Sequence, residues 1–283
     1  MEYYILNGLV LGGIYALIAL GLNIIWSITH IPDFSQGGIY VIGAYVAYFV
    51  ITLANLHWLL AILIATLTGA CLSFLIEKFL YKRWRGQVRT QLLCAIALFF
   101  LIANLAILFW TPKAKNLAHY VNGMSEIFGV AISYQRLFII AVVVLMSIAL
   151  IVFMRSTKFG KAVRAAAQDL EAAPWMGIDV NQIYSILFII GGSLSAMAGA
   201  LIAPLFAVYP MMGDLPLMKA LIVVILGGFG SITGTLFAGF GVGILESFGA
   251  AYISAEYQHG YPFIILIIVL LIRPQGLFGV KGY

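Results

Sequence analysis

The chain has 283 residues, of which 64% are hydrophobic and 9% are charged, and its formal net charge is +5. Soluble proteins carry about 25% charged residues, so this composition and a mean hydropathy of +1.09 exclude an ordinary soluble domain. Apolar runs such as 92–110, 137–154 and 183–203 have the length of roughly 20 residues that a helix needs to cross a bilayer. The sequence therefore predicts an all-α, polytopic transmembrane helical bundle that forms one domain over residues 1–283.

The apolar runs divide the chain into eight or nine membrane segments, some of them discontinuous or re-entrant. The first has no basic flank and is too long for a signal peptide, so we expect it to be retained. Two segments are short, and each is either a half-helix or extends into its flank. In chain order the candidates are 4–25, 39–56, 58–76, 92–110, 136–154, 183–204, 217–228, 234–253 and 261–272, of which the seventh and ninth are the short ones.

If all nine segments cross the membrane, the basic residues are divided unequally between its two sides. Eleven lie on the side of the C-terminus, namely Lys78, Lys82, Arg83, Arg85, Arg89, Arg155, Lys158, Lys161, Arg164, Arg273 and Lys281. The other four are Lys113, Lys115, Arg136 and Lys219. Because cytoplasmic loops are enriched in Lys and Arg, this division predicts a cytoplasmic C-terminus and an N-terminus outside. It also explains the basic charge without nucleic acid, for which the sequence offers no recognition module.

A polar interruption separates the first two segments. Pro32 breaks the helix, and two glycines at the end of residues 30–38 loosen its restart. A break with polar side chains is typical of the discontinuous helices that line transport pathways, although an ordinary interfacial turn has the same composition. The residues concerned are Asp33, Phe34, Ser35 and Gln36. Within the membrane spans, Asn7, Asn23 and Asn104 are interpreted as interhelical hydrogen-bonding residues.

The stretch 155–182 is polar, although it lies between two apolar spans, and it falls on the side predicted to be cytoplasmic. Pro174 disfavours helix at the residue before it, and Gly177 can end the resulting turn. Trp175 and Met176 would then project as an apolar anchor for a partner, whereas a solvated linker helix is the alternative. Polar residues at three- and four-residue steps predict one helix face, made of Lys161, Arg164, Gln168 and Glu171.

Glycine is dense in residues 227–234, where an uninterrupted apolar helix is not expected. Broken backbone is tolerated at membrane depth only where protein buries it or water reaches it. The stretch therefore predicts either a cytoplasmic turn or a re-entrant element beside a pathway. It lacks the G-x-G-x-x-G spacing and βαβ context of a dinucleotide site. Its residues of interest are Gly227, Gly228, Gly230 and Ser231.

Glycines four residues apart predict close helix packing, because the missing side chains lie on one helix face. The three pairs are Gly8 with Gly12, Gly230 with Gly234, and Gly239 with Gly243.

Glu246 lies inside the eighth segment. A carboxylate within a membrane helix costs about 3 kcal/mol on insertion scales, so it requires a partner or a polar cavity. Lys219, on the preceding segment, is the candidate partner.

The sequence lacks the groupings that nucleotide, metal and acid–base chemistry require. It has no G-x-x-x-x-G-K-[ST] stretch, no Cys/His cluster, and no nucleophile–base or paired-carboxylate grouping. Cys71 and Cys94 fall in apolar spans and are interpreted as packing residues. We therefore expect no catalytic residue, metal site or cofactor on this chain, and any ATP hydrolysis requires a separate chain.

Taken together, three stretches resemble the branched-chain amino acid ABC transporter permease family. They are GLVLGGIYALIALG (8–21) with DFSQG (33–37), KALIVVILGGFGSITG (219–234) and RPQGLFG (273–279). The resemblance covers essentially the whole chain and fits the shorter permease type. The family usually reads Asn-Phe-Ala-His-Gly where this chain has DFSQG, so a leucine-like substrate does not follow, since related permeases carry urea or short amides.

The resemblance implies a bacterial inner-membrane permease subunit of an ATP-driven importer that translocates branched-chain amino acids or related small polar or amide solutes. It implies four kinds of partner: a homologous second permease, two ABC ATPase subunits that bind ATP and Mg²⁺, a periplasmic or surface substrate-binding protein, and the lipid bilayer. The alternative is an ion-coupled secondary transporter that uses Glu246 and Asp33 as coupling groups.

The resemblance also assigns residues to roles. Residues 171–177 look like the cytoplasmic EAA loop that docks on the ATPase. The coupling residues are then Arg164, Asp169, Glu171, Ala172, Ala173, Trp175, Met176 and Gly177. The candidate translocation path comprises Asn23, Asp33, Phe34, Ser35, Gln36, Gly227, Gly228, Gly230, Ser231 and Glu246.

Overall fold

A computed structural model describes residues 2–121, 123–127 and 130–279 of the chain. Lys281, one of the eleven basic residues used to predict the orientation, lies outside the described residues. The helices are α1 (Glu2–Thr29), α2 (Ser35–Thr52), α3 (Trp58–Phe79), α4 (Val88–Trp110), α5 (Tyr134–Ser156), α6 (Lys158–Gln168), α7 (Val180–Ile202), α8 (Asp214–Gly227), α9 (Ile232–Tyr252) and α10 (Tyr261–Ile272). Two short 3₁₀ helices, Tyr81–Trp84 and Ala173–Met176, follow α3 and α6.

Each of the nine predicted segments coincides with a helix. In the part of the chain that the structure describes, seven helices are long and apolar enough to cross a membrane, namely α1, α2, α3, α4, α5, α7 and α9. The two segments predicted to be short are α8, with 14 residues, and α10, with 12. The helical membrane fold is therefore confirmed, while the number of crossings and their direction stay predictions.

One small β-ribbon departs from the all-α expectation. Strand β1 (Met124–Ile127) pairs antiparallel with β2 (Val130–Ser133), with Met124 opposite Ser133. The ribbon lies in the loop between α4 and α5, outside every predicted segment. Ser133 then caps α5 by accepting a hydrogen bond from the Gln135 amide.

The helices run alternately between two ends of the bundle. At one end, Arg85 donates to Asn181 over 2.6 Å, which ties the α3–α4 loop to the start of α7. The Leu277 amide of the C-terminal tail donates to the Leu226 carbonyl, near the end of α8. These loops carry the basic clusters, and we call this the basic end. At the opposite end the Tyr4 ring, near the start of α1, contacts Tyr252, at the end of α9.

Helix α7 is the central packing element, because α1, α2 and α3 approach it through small residues. A methyl group added at Gly21 of α1 would lie 2.8 Å from the Gly191 carbonyl oxygen. One added at Gly69 of α3 would lie 2.5 Å from the Gly192 carbonyl oxygen. Because glycine has no side chain, the backbones of the two helices contact each other directly at these positions. The sequence interpretation did not single out these glycines of α7.

Helices α1 and α9 cross through the predicted glycine pairs. A methyl group at Gly8 would lie 2.6 Å from the Ile244 Cα, and one at Gly12 would lie 2.5 Å from the Gly239 carbonyl oxygen. The close packing predicted for both pairs is therefore confirmed. The prediction for Gly230 and Gly234 is wrong, because Gly230 precedes α9 in a loop and has a φ of +76°.

We predict that Gly243→Ala destabilises the protein, whereas Gly241→Ala on the same helix does not. A methyl group at Gly243 would overlap the backbone of Gly12, while one at Gly241 meets nothing within 4 Å. Overpacking of this kind costs about 1–3 kcal/mol, so the melting temperature of the detergent-solubilised protein should fall for Gly243→Ala. The Gly241→Ala variant should melt at or above the wild-type temperature, because alanine favours helix. Equal melting temperatures for the two variants would contradict the α1–α9 contact.

Candidate translocation and coupling site

Asn23 of α1 holds the glycine-dense loop between α8 and α9. Asn23 is 1% exposed. Its side-chain amide donates to the Thr235 hydroxyl over 2.6 Å and to the Ser231 carbonyl over 3.2 Å. Its amide oxygen accepts from the Gly230 N–H over 2.8 Å. The interhelical hydrogen bonding predicted for Asn23 is confirmed, and Thr235 is a partner that the sequence interpretation missed. A threonine one turn into a helix gives no local signal of that role.

The loop itself is shaped by glycines. Helix α8 ends at Gly227, and Gly228 and Gly230 follow with φ angles of +91° and +76°, which side chains rarely adopt. Ser231 then caps α9 by accepting from the Gly234 amide over 3.1 Å. The predicted helix interruption is thus present. The backbone of the loop bonds to Asn23 of α1, and Leu226, just before the loop, bonds to the C-terminal tail.

The break between α1 and α2 is buried within the bundle. Asp33 is 3% exposed, and its carboxylate accepts from the Tyr81 hydroxyl over 2.7 Å and the Gln36 amide over 2.9 Å. Gln36 in turn accepts from the Ser195 hydroxyl of α7 over 2.7 Å. Ser35 is also buried, and Phe34 is half-buried. This burial argues against a solvent-exposed turn, while a place on the transport path stays a prediction.

Glu246 has the partner that was predicted for it. Its carboxylate forms a salt bridge with Lys219 of α8, and both side chains are 3% exposed. The Lys219 ammonium also lies 3.0 Å from the Tyr15 hydroxyl and 3.1 Å from His259 Nδ1. The positive-inside prediction places Lys219 among the four basic residues on the outer side. The structure corrects this, because Lys219 is inside the bundle and neutralises a buried carboxylate.

The ten predicted path residues therefore fall into three clusters. Asn23 meets Gly228, Gly230 and Ser231, with Gly227 directly before them. Asp33 and Gln36 face Tyr81 and α7, whereas Glu246 faces α8 and α1. Sequence spacing could not reveal this separation, because it depends on which helices pack together.

The predicted coupling stretch begins with α6, which starts at the cap residue Thr157. Val163 and Ala166 are buried, and the polar face formed by Lys161, Arg164 and Gln168 is exposed. Those three residues confirm the predicted face. Glu171 does not belong to it, because α6 ends at Gln168 and the Asp169 carboxylate turns the chain.

That turn positions the residues of the predicted EAA loop. The Asp169 carboxylate accepts from the amides of Glu171 and Ala172, each over 2.9 Å. Ala173 is buried and begins the 3₁₀ helix. Helix was expected to be disfavoured at Ala173, and the structure shows that only α-helix is avoided, since a 3₁₀ turn accommodates Pro174 near its start.

The 3₁₀ helix presents two large apolar side chains to its surroundings. Trp175 is 89% exposed and Met176 is 81% exposed. Gly177 ends the helix with a φ of +76°, as expected of a glycine that terminates a turn. Ala173 is buried at the start of this 3₁₀ helix, and Gly177 ends it. Together they fix the direction in which the Trp175 and Met176 side chains project.

We predict that Asn23→Leu lowers the melting temperature far more than Asn104→Leu. Asn23 bonds to an adjacent helix and its loop, so its loss leaves buried polar groups unpaired at about 1–3 kcal/mol each. Asn104 is exposed, and among the described residues its side chain donates only to the Phe100 carbonyl of its own helix, so its predicted interhelical role is wrong and it makes a matched control. Similar losses in the two variants would contradict the role given to Asn23.

We also predict that Lys219→Met and Glu246→Met each destabilise the fold by about 3–5 kcal/mol, because breaking a buried pair leaves one group unpaired. The variant that carries both Lys219→Met and Glu246→Met should be much less destabilised than the sum of the single changes. Thermal melts of the four proteins provide the measurement. Additive losses would show that the two side chains do not interact.

Comparisons with known proteins agree with this architecture. The family model described as the branched-chain amino acid transport system permease component matches residues 4–270. The chain is 34% identical over 290 residues to the high-affinity branched-chain amino acid transport system permease protein BraD of Pseudomonas aeruginosa, covering 97% of this chain and 94% of BraD. It is also 34% identical over 294 residues to the corresponding protein LivH of Escherichia coli, covering 96% and 94% respectively.

A solved structure shares the fold. PsaBC from Streptococcus pneumoniae in complex with Fab superposes with a TM-score of 0.52, covering 95% of this chain and 91% of the matched chain. The identity is 14%, so this likeness concerns the fold alone. The family match over residues 4–270 and the two near full-length relatives together establish that the chain belongs to the family of branched-chain amino acid transport system permease components, which are transport subunits of the membrane.

Proposed function

We propose that this chain is the substrate-translocating subunit of an ATP-driven ABC importer in a bacterial inner membrane. It works with a homologous second permease, two ABC ATPase subunits and a periplasmic or surface substrate-binding protein. The names of BraD and LivH support branched-chain amino acids or related small polar or amide solutes as cargo. The chain lacks a phosphate-binding loop, so ATP and Mg²⁺ bind on the ATPase subunits.

One observation carries the proposal, namely the apolar anchor formed by Trp175 and Met176. Both side chains are almost fully exposed on a short, backbone-fixed turn at the basic end of the bundle. The basic end is cytoplasmic under the positive-inside rule, where an ATPase would be found. Large exposed side chains held in one direction are typical of residues that insert into a partner's pocket. A solvated linker helix gives no reason to expose them.

The packing of α6 supplies a route from this anchor to the membrane core. Val163 and Ala166 bury one face of α6 against the bundle. The exposed face continues through Arg164 and Gln168 to a cavity that is also lined by Asn23 and Gly230. Movement of the 155–182 stretch with the ATPases therefore reaches the α8–α9 loop, and through it the α1–α9 crossing. In this mechanism ATP binding switches the helices between outward and inward access.

The ion-coupled alternative is not favoured by the positions of its two coupling groups. Glu246 is paired with Lys219, and Asp33 is bonded to Tyr81 and Gln36. Each carboxylate is thus engaged by the protein. Uptake that continues in the absence of ATP would nevertheless restore the carrier hypothesis.

We predict that replacing both Trp175 and Met176 with alanine abolishes stable association with the ATPase. Truncating residues at the centre of an interface typically costs at least about 2 kcal/mol, which corresponds to more than tenfold in affinity. Co-purification of tagged permease with its ATPase, followed by ATPase activity in the presence of loaded binding protein, measures both docking and coupling. Gly177→Ala, which strains a left-handed backbone, and Glu171→Ala should uncouple ATP hydrolysis from uptake.

Leu108→Ala provides the matched control, because Leu108 is a similarly exposed apolar residue on α4, away from the basic loops. It should leave ATPase association unchanged. Melting temperatures establish that each variant folds. Normal coupled uptake in the Trp175 and Met176 double variant would remove the docking role from this loop.

A further inference from the structure

A cavity of about 590 Å³ lies at the basic end, between α1, α5, α6, the α8–α9 loop and the C-terminal tail. Its walls are largely apolar and include Ile151, Phe229 and Phe278. Three of its lining residues, Asn23, Gly230 and Ser231, belong to the predicted translocation path. The proposed transport cycle, however, assigns no ligand to the two arginines that face the same space.

The cavity carries positive charge. Arg155, in the last turn of α5, and Arg164 of α6 both line it, whereas none of its lining residues is acidic. Among the described residues Arg155 takes part in no ion pair, while Arg164 donates to the Met154 carbonyl at the end of α5. Arg164 is therefore held in place, and Arg155 has donors available for a ligand.

The start of α9 adds backbone donors to the same wall. Ile232 and Thr233, the first two residues of this 21-residue helix, line the cavity. The first N–H groups of a helix have no partner inside it, and the helix dipole makes this end attractive to anions. Among the described residues, the Ser231 hydroxyl accepts from the amide of Gly234 and leaves those of Ile232 and Thr233 to other partners. Two arginines and the helix start thus line one apolar-walled space, and this combination is the chemistry of a phosphate site.

The surroundings indicate an amphipathic ligand. Val152 and Phe153 of α5, which precede Arg155 by three and two residues, are exposed apolar residues, as is Phe237 of α9. In a membrane helix such residues contact acyl chains, and basic pockets between helices at the cytoplasmic side bind anionic headgroups. We propose that this cavity binds a phosphate-bearing ligand, with the headgroup of an anionic phospholipid as the occupant and free phosphate as the second source of the same chemistry. The inference does not depend on which solute is transported.

Binding of fluorescent phosphatidylglycerol to the full-length detergent-solubilised chain tests this site, with phosphatidylcholine as the neutral lipid. We expect phosphatidylglycerol to bind in preference to phosphatidylcholine. Arg155→Gln should weaken this binding about tenfold and the Arg155→Gln, Arg164→Gln double variant about a hundredfold, because each charge-assisted contact is worth roughly one decade. The matched control changes Lys158 and Lys161 to Gln. Both are exposed residues of α6 that do not line the cavity. This control removes the same two positive charges as the double arginine variant, and its affinity for phosphatidylglycerol should be unchanged.

Competition with inorganic phosphate separates the two sources. Phosphatidylglycerol binding that phosphate cannot displace assigns the site to lipid, and phosphate binding without lipid preference assigns it to the free anion. In either case the arginine dependence must hold. Wild-type affinity in the double arginine variant, or an equal loss in the double lysine variant, would overturn the site. Because Arg155 is exposed and forms no ion pair with any residue that the structure describes, the Arg155→Gln protein remains an informative test if Arg164→Gln disturbs folding.

Discussion

Close approach of helix backbones at glycine is the constraint on which the rest of this structure depends. Apolar side chains give helices little reason to associate in lipid, so packing has to come from contact area and polar pairing. Glycines on α1, α7 and α9 allow backbones to meet where a single methyl group would overlap. The central position of α7 and the α1–α9 crossing both follow from this close approach at glycine. These crossings set the separation between polar groups on different helices, and so decide which groups can bond.

Polar groups inside the bundle are arranged so that interrupted helices remain satisfied. Asn23 bonds to the loop that ends α8 and begins α9, and Asp33 bonds across the break between α1 and α2. Lys219 and Glu246 neutralise each other between α8 and α9. Broken backbone and charge within a membrane are stable only when protein or water provides partners. Asn23 joins α1 to α9, and Gln36 joins α2 to α7. The two breaks are therefore cross-linked to helices distant in sequence and are not loose linkers.

The basic end combines two surfaces of different chemistry. One is the exposed apolar pair on the 3₁₀ turn, which is suited to a protein partner. The other is the cavity behind α6, where two arginines and the start of α9 are suited to a phosphate. Because α6 contributes to both, a ligand in the cavity contacts the same helix that the ATPase is proposed to move. In the proposed mechanism, the coupling between partner, lipid and membrane helices therefore passes through α6, a helix of 11 residues.

The sequence alone determined the membrane character, the nine helical segments, the two helix interruptions and the polar stretch on α6, because each depends on local composition and periodicity. It also identified the partner of Glu246, since a buried carboxylate requires a cation and Lys219 lies on the adjacent helix. It missed the β-ribbon, the glycines of α7 and the role of Thr235, and it wrongly placed Gly230 on a helix and Asn104 at an interhelical contact. Only the tertiary structure decided that the path residues form three clusters and that Arg155 and Arg164 share a cavity with α9. The reason is physical: periodicity shows which face of a helix is polar, but the partner of that face depends on how helices distant in sequence cross.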